Sequence, residues 1–302
     1  MAKFKIFTDS CSDLGTTDRK KYDLEYVHMG IVVDGEEKRA DLDWIDYTPE
    51  EFYGWLKAGK KIKTTQVSLP EFIDCFSAVM KEGYDVLYIG CSSKLSGSVN
   101  TCEVLAKQQL LEEFPDRKLI VVDALLGSVA EGMLAIRASM LRAEGKSLEE
   151  VAAWCEENKK YFNMFATVDT LSYLKAAGRI KGAKAFIGNI MGVKPIFISD
   201  AHGNNFTIKK VKGTKQSLEE LVQGVKDTCY KEQWNTVFIG QGFVMDRAEI
   251  VKQRLEAEMP GLDVHIVWIG PIVGTSCGPG VIATFCFGKE VTRYEGDGLK
   301  AA

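Results

Sequence analysis

Four serine hydroxyls lie close together in the stretch Cys91, Ser92, Ser93, Lys94, Leu95, Ser96, Gly97, Ser98. The stretch stands between an apolar run (Val86, Leu87, Tyr88, Ile89) stopped by Gly90 and a run with helical apolar spacing (Val99, Cys102, Leu105, Ala106). A β-branched and aromatic run followed by a 3.6-residue repeat is the strand-loop-helix half of a βαβ unit. The loop then sits at the carboxyl end of a strand. There, hydroxyls and unpaired helix N-terminal amides point the same way and the helix dipole favours negative charge, so a small anion can be held without a dedicated cation. The plainer role for Ser96 or Ser98 is to cap the helix.

Three further polar stretches have the same character. Asp9, Ser10, Cys11, Ser12 and Asp13 follow an alternating strand, Phe4 to Thr8. Two carboxylates alone are a poor metal site, and caps and turns suit them better. Lys63, Thr64, Thr65, Gln66, Val67 and Ser68 add a second set of hydroxyls before a helix from Pro70 to Lys81. Near the end, Gly270 to Gly280 holds four glycines and two prolines in eleven residues, with Thr275 and Ser276 among them, and reads as a stiff loop whose backbone can approach a ligand.

Enzyme templates fit poorly. Nucleophilic catalysis needs a base beside a serine or cysteine, and the three histidines fall in strand-like runs (His28, His265) or a hairpin turn (His202). The G-x-S-x-G, zincin, P-loop and G-x-G-x-x-G patterns are absent from the sequence. A small-anion hydrolase or phosphotransferase using the serine-rich loops, with Lys94 in a Ser-Lys pair, is the alternative that survives.

The elements that would position these loops alternate along the chain. Glu25 to Val33 reads as a strand with an Asp34-Gly35 hairpin turn after it, Thr48-Pro49-Glu50-Glu51 as a capping box for a helix to Lys57, and Leu119 to Val122 as a buried strand. Asp41, Asp43 and Asp46 are expected to face water. Ser128 with Glu131, and Ser147 with Glu150, read as capping boxes for helices to Arg142 and Lys160. This alternation predicts an α/β fold in two lobes: an N-terminal doubly wound parallel sheet over residues 1–162 and a C-terminal mixed α/β lobe over 163–302. In the second lobe, Lys194 to Ser199 and Thr207 to Val211 read as strands and Ser217 as the box residue of a helix to Lys231. A helix from Met245 to Ala257 lies between two more strands, and Ile282 to Phe287 is the last.

With 302 residues, 38 basic and 42 acidic side chains and no Lys/Arg run, the chain has no electrostatic footprint for nucleic acid or an anionic membrane surface. Eight scattered cysteines without a C-x-x-C pair, and no signal peptide or long apolar span, predict free thiols in a cytoplasmic protein without stable membrane insertion.

With these motifs in place, the chain resembles the DegV family of bacterial fatty-acid-binding proteins over nearly its full length. Thr8-Asp9-Ser10-Cys11-Ser12-Asp13-Leu14 is similar to that family's T-D-S-x-x-D-L, and Lys63 to Ser68 to its K-T-S-Q-P-S. Ser92-Ser93-Lys94-Leu95-Ser96-Gly97-Ser98 is similar to S-S-x-L-S-G-T, Asp169 to Ile180 to D-x-L-x-Y-L-x-x-G-G-R-I, and Gly274 to Gly280 to G-x-H-x-G-P-G. The resemblance implies a carrier, not a self-sufficient enzyme. It would bury one long-chain fatty acid between the lobes and need no cofactor. Thr64, Thr65, Ser96, Gly97 and Ser276 would hold the carboxyl group, with Asp9, Ser10, Ser93 and Thr275 in supporting loops. Ser276 stands where the family has histidine, so a donor able to carry charge is replaced by a neutral hydroxyl. A separate ATP-dependent fatty acid kinase subunit would phosphorylate the bound acid to an acyl phosphate for phospholipid synthesis. Arg179, Lys210 and Lys212 fall where the resemblance puts contacts with that partner.

A lipid ligand is energetically reasonable. Burying one methylene contributes about 0.8 kcal/mol, so about fourteen supply on the order of 11 kcal/mol before ordering costs. Hydroxyls add only about 0.5 to 1.5 kcal/mol each and mainly set the position of the head group. A pocket that senses lipid for an interaction or regulatory role would use the same chemistry.

Overall fold

The computed structural model describes residues 3–181 and 192–294. The chain forms two compact units, and neither is continuous in sequence. The first contains residues 1–45, 61–159 and 270–272, and the second 46–60, 160–269 and 273–302. This division differs from the single changeover at 162/163 read from the sequence, because Pro49–Lys57 is a helix of the second unit. It is fastened there by the Tyr53 hydroxyl, which donates to the Ile269 carbonyl at 2.8 Å.

The first unit has seven strands: β1 (Phe4–Asp9), β2 (Leu24–Val27), β3 (Gly30–Val33), β4 (Glu36–Arg39), β5 (Ile62–Thr65), β6 (Asp85–Gly90) and β7 (Leu119–Asp123). Its main sheet is parallel, in the order β2-β1-β6-β7. Every residue of β6 is buried, as a strand covered on both faces requires. Helix Leu69–Lys81 is capped by Ser68, whose side chain accepts from the Glu71 amide. It turns Phe72, Phe76 and Met80, spaced four apart, into the core, where Phe72 meets Tyr88 and Phe76 meets Phe7 edge to face. Glu25 to Val33 is two strands in two sheets, since β3 joins β4 and β5 in a separate antiparallel sheet. The β3–β4 turn has Asp34 and Gly35 at positive φ, the hairpin geometry that Asp-Gly favours.

The second unit has β8 (Phe162–Thr167), β9 (Val193–Ser199), β10 (Asn205–Lys212), β11 (Thr236–Gln241), β12 (Asp263–Trp268) and β13 (Ile282–Phe287) in one mixed sheet, ordered β10-β9-β8-β13-β11-β12. Leu218, Leu221, Val222 and Val225 of helix Gly213–Thr228, with Val251 and Leu255 of helix Met245–Glu258, pack on Val237, Ile239 and Ile282.

Several local readings change. The boxes at Thr48/Glu51 and Ser147/Glu150 form as expected. Ser128 does not cap: its φ is 56°, its hydroxyl donates to Asp13 instead, and Glu131 is fully buried. Ser217 lies inside a helix that begins at Gly213. Asp41 is buried, because it accepts from the Tyr26 hydroxyl at 2.8 Å. Leu105 is exposed beside Val104, in a π-helical turn at Cys102–Ala106. The glycine- and proline-rich stretch after Gly270 is a helix, Pro271–Cys277, with Pro271 at its first position and left-handed Gly278 behind it. No helix among the described residues is long and apolar enough to cross a membrane.

Gly132 shows how closely helix Val129–Ala143 approaches the end of β1. A Cβ there would lie 2.5 Å from Leu14 Cγ and 2.9 Å from the Ser12 carbonyl oxygen. Gly132→Ala is expected to destabilise the protein by about 1 to 3 kcal/mol through overpacking. Urea denaturation checks it, and an unchanged midpoint would reject the close approach.

Candidate functional site

The order of the parallel sheet reverses at β1: the chain leaves β1 for β2 on one side and returns to β6 on the other. Ligands of open α/β sheets bind outside the carboxyl ends of the strands at such a reversal. Both polar loops singled out in the sequence, after β1 and after β6, begin there.

Asp9 joins them. Its carboxylate accepts from the Cys11 amide at 2.8 Å, the Tyr88 hydroxyl at 2.8 Å and the Cys91 amide at 3.1 Å. Burial pushes its pKa up, and the bonds from Cys91, Cys11 and Tyr88 pull it back. With these bonds made, Asp9 is a brace between β1 and β6. Ser10 is likewise committed, accepting from the Met29 amide at 3.0 Å. Asp13 sits at φ 53° and accepts from the Ser128 hydroxyl at 2.5 Å and the Gly270 amide at 2.8 Å. Burial pushes its carboxyl up to about 7; the two hydrogen bonds oppose the shift, and the neighbouring Asp9 charge adds to it.

The threonine and serine stretches meet within this unit. Thr64 and Thr65 end β5, paired with Ile31 and Gly30. Immediately after them, Gln66 Nε2 donates to Thr101 Oγ1 at 2.7 Å, and the Val67 amide donates to Ser98 Oγ at 3.1 Å. Ser98 Oγ in turn shares a hydrogen bond of 2.9 Å with Ser96 Oγ. Gly97 lies under this crossing: a Cβ there would lie 2.0 Å from Gln66 Oε1, so the end of the Gln66 side chain would have to shift. Thr64, Ser96 and Gly97 are half-buried and Thr65 is exposed. Ser93 is exposed, its amide held by Asp123 Oδ1 at 3.2 Å. A polar cleft of about 230 Å³ opens beside Thr65, lined by His28, Gly30, Arg39, Gln66 and Glu71.

In the second unit, Thr275 and Ser276 are half-buried in helix Pro271–Cys277. Arg179 is exposed just after Gly178, the left-handed cap of helix Ser172–Ala177. Its carbonyl accepts from Asn205 Nδ2 at 3.0 Å, at the opening residue of β10. Lys210 and Lys212 lie near the far end of that strand, five and seven residues on, or roughly 17 and 23 Å along an extended strand. Arg179 thus stands beside the opening of β10, while Lys210 and Lys212 lie toward its far end.

The residues that sequence reasoning missed are partners. Tyr88 and Gln66 stood inside quoted motifs, yet nothing in their spacing showed what they would bond. Glu71 accepts from both the His28 amide (3.0 Å) and His28 Nδ1 (2.7 Å), across forty-three residues of chain. The hydrogen bond from the His28 side chain, opposed by desolvation, holds Glu71 down at about 2. The Cys75 thiol also donates to Glu71, at 3.7 Å, and burial with the Glu71 charge pushes it up to about 12. A thiol so placed is a poor nucleophile.

With these loops placed, the molecule is defined as a two-unit α/β protein carrying a hydroxyl-rich loop pair at the reversal of a parallel sheet. A family model described as an uncharacterised protein of the DegV family matches residues 3–289, and the chain belongs to that family. A DegV domain-containing protein of Clostridium perfringens is 34% identical over 289 residues, covering 95% of this chain and 98% of the relative. A structure described as fatty acid binding of a DegV family protein from Thermus thermophilus superposes with a TM-score of 0.82 at 29% identity, covering 95% of this chain and all of that one. The fatty acid binding DegV family protein of Streptococcus agalactiae gives 0.81 at 25% identity, covering 96% and 100%.

Glu71 makes the site pH-sensitive in a definite sense. Its native pKa is depressed, so its contribution to stability is present above its ordinary value of about 4.5 and is lost as pH falls toward about 2. Glu71→Gln is expected to cost about 1 to 2 kcal/mol at neutral pH and to flatten the acid limb. Urea denaturation at several pH values checks this; an equally steep acid limb in the variant would remove Glu71 from that role.

Proposed function

We propose that this protein binds a long-chain fatty acid and presents its carboxyl group to a separate ATP-dependent kinase, which forms an acyl phosphate used in phospholipid synthesis. The joining of the Thr64–Val67 and Ser96–Thr101 segments at the sheet reversal carries this reading, together with two relatives described as fatty acid binding. In this proposal the hydroxyls of Thr64, Thr65 and Ser96 and the Gly97 amide bind the carboxylate, and Ser276 is the further hydroxyl that the family resemblance offers. Asp9, Ser10, Ser93 and Thr275 belong to the loops that hold these groups in place. The acyl chain lies in an apolar interior and supplies most of the affinity. No cofactor takes part, and the protein does no chemistry alone.

Neutral hydroxyls suit an acceptor. A carboxylate paired with arginine is charge-neutralised and a poorer nucleophile toward ATP, whereas hydroxyls and amides position it and leave it reactive. Ser276, in place of the histidine that the resemblance leads one to expect, carries this to its limit. Arg179, with Lys210 and Lys212 further along β10, would meet the kinase. The free state of all eight cysteines fits a reducing, cytoplasmic setting.

Solvent extraction of the purified protein followed by mass spectrometry is expected to recover about one long-chain fatty acid per chain, and recovery of none would sink the proposal. Thr64→Ala with Ser96→Ala is expected to lower acyl phosphate formation at least tenfold while changing acyl affinity by less than threefold. Equal losses in both would show that the hydroxyls do more than position the head group. Arg179→Glu is expected to abolish turnover with the kinase while the pocket stays loaded, and an unchanged rate would take Arg179 off the partner surface.

A further inference from the structure

Beneath the two loops at the sheet reversal lies a second group of side chains that the proposed function does not use. Cys11 is in the short turn after β1, Cys91 is the first residue after β6, and Glu131 is in the first turn of helix Val129–Ala143. The two Sγ atoms and a carboxylate oxygen of Glu131 all lie within 4.8 Å of one another. Glu131 is fully buried, Cys91 is 2% exposed and Cys11 4%.

Glu131 is the anomaly. Neither carboxylate oxygen meets a hydrogen-bond partner, and only the Asp9 backbone nearby offsets part of the cost of burial. Its burial is not explained by capping, since Ser128 turns away to Asp13. A buried carboxyl group without a partner costs several kcal/mol in either protonation state, because the acid has an unmet donor and the anion an unmet charge. Burial, with Asp9 and Cys11 nearby, pushes the Glu131 carboxyl far up. The Cys11 thiol and burial do the same to Cys91.

A divalent cation resolves this. Two thiolates cancel its charge, and the carboxyl group of Glu131 supplies an oxygen ligand that is otherwise unpaired. Thiolate ligands select borderline and soft metals over magnesium or calcium, and mixed sulfur and oxygen donors at this spacing suit zinc. We propose that Cys11, Cys91 and Glu131 supply three ligands of a buried site for a zinc-class divalent ion. Binding releases the two thiol protons, and the carboxyl proton if present, to solvent; no oxidation state changes. The ion would tie the carboxyl ends of β1 and β6 to the start of helix Val129–Ala143, beneath the Ser92–Ser98 loop. Gly127 closes one side, since a Cβ there would lie 3.5 Å from Cys11 Sγ and 3.7 Å from Cys91 Sγ. The site is independent of whether the protein carries a fatty acid.

The test refolds the reduced full chain with one equivalent of Co²⁺, desalts it, and reads retained metal and the thiolate-to-cobalt charge-transfer band. About one equivalent and a clear band are expected, with Zn²⁺ abolishing the band. Cys11→Ser and Cys91→Ser should each lose the band, Glu131→Gln should weaken Co²⁺ binding at least tenfold, and Cys155→Ser, in helix Leu148–Asn158, should leave it intact. Should the cluster variants fail to fold, the wild type alone decides: its melting temperature in reductant should rise with stoichiometric Zn²⁺ and fall back with chelator. No retained metal and an unmoved melting temperature would overturn the proposal, as would a band that survives both cysteine substitutions. A Cys11–Cys91 disulfide persisting in reductant, seen as a two-proton mass loss, would overturn it as well.

Discussion

The carboxylate of Asp9 is the constraint around which the first unit is arranged. A fully buried acid with three donors, one from the turn after β1, one from within β6 and one from the residue after β6, cannot be moved without stranding charge or donors in the interior. Because one donor is the Cys91 amide and another the Tyr88 hydroxyl, the end of β1 is locked to the end of β6 at the point where the strand order reverses. The two loops that leave these strands therefore begin from fixed positions. Rigid loop origins are what a site made of neutral hydroxyls needs, since each such contact is weak and only geometry makes several of them selective.

A second layer of polar bonds builds on that lock. Asp13 ties Ser128 and Gly270 together, Ser98 receives the Val67 amide, and Gln66 reaches Thr101 across Gly97. These bonds connect residues 31 to 257 positions apart in the chain, and all but the one from Gln66 are buried. Ser98, Gln66 and Asp9 thus do positioning work, which leaves Thr64 and Ser96 with hydroxyls at the edge of the network. Cys11, Cys91 and Glu131 belong to the same packed layer, and Glu131 is the member whose hydrogen bonds the protein itself does not complete.

The two units divide the chain unevenly. Residues 46–60 and 270–272 each belong with a unit other than the one their sequence neighbours belong to. A helix such as Pro49–Lys57 reads the same from its capping box wherever it packs, so local chemistry predicts its existence and not its destination. Tyr53 decides the matter, through a hydrogen bond to a residue more than two hundred positions away.

The sequence by itself determined the α/β class, the strand-loop-helix origin of the serine loop, the capping boxes at Thr48 and Ser147, and the motifs that placed the chain in its family. These are short-range matters of periodicity, capping geometry and turn preference, and they act within a few residues. It misjudged Pro271–Cys277, where proline at the first helical position and glycine behind the last carry as much helix signal as loop signal. It also misjudged Ser128 and Glu131, whose spacing mimics a capping box. Only the tertiary structure decided which polar groups are occupied and which are available. That depends on partners far away in sequence: Tyr88 and Cys91 for Asp9, His28 for Glu71, Asp13 for Ser128. The energy of a buried polar group is set by the atoms within about 3 Å of it, and no sequence spacing specifies those.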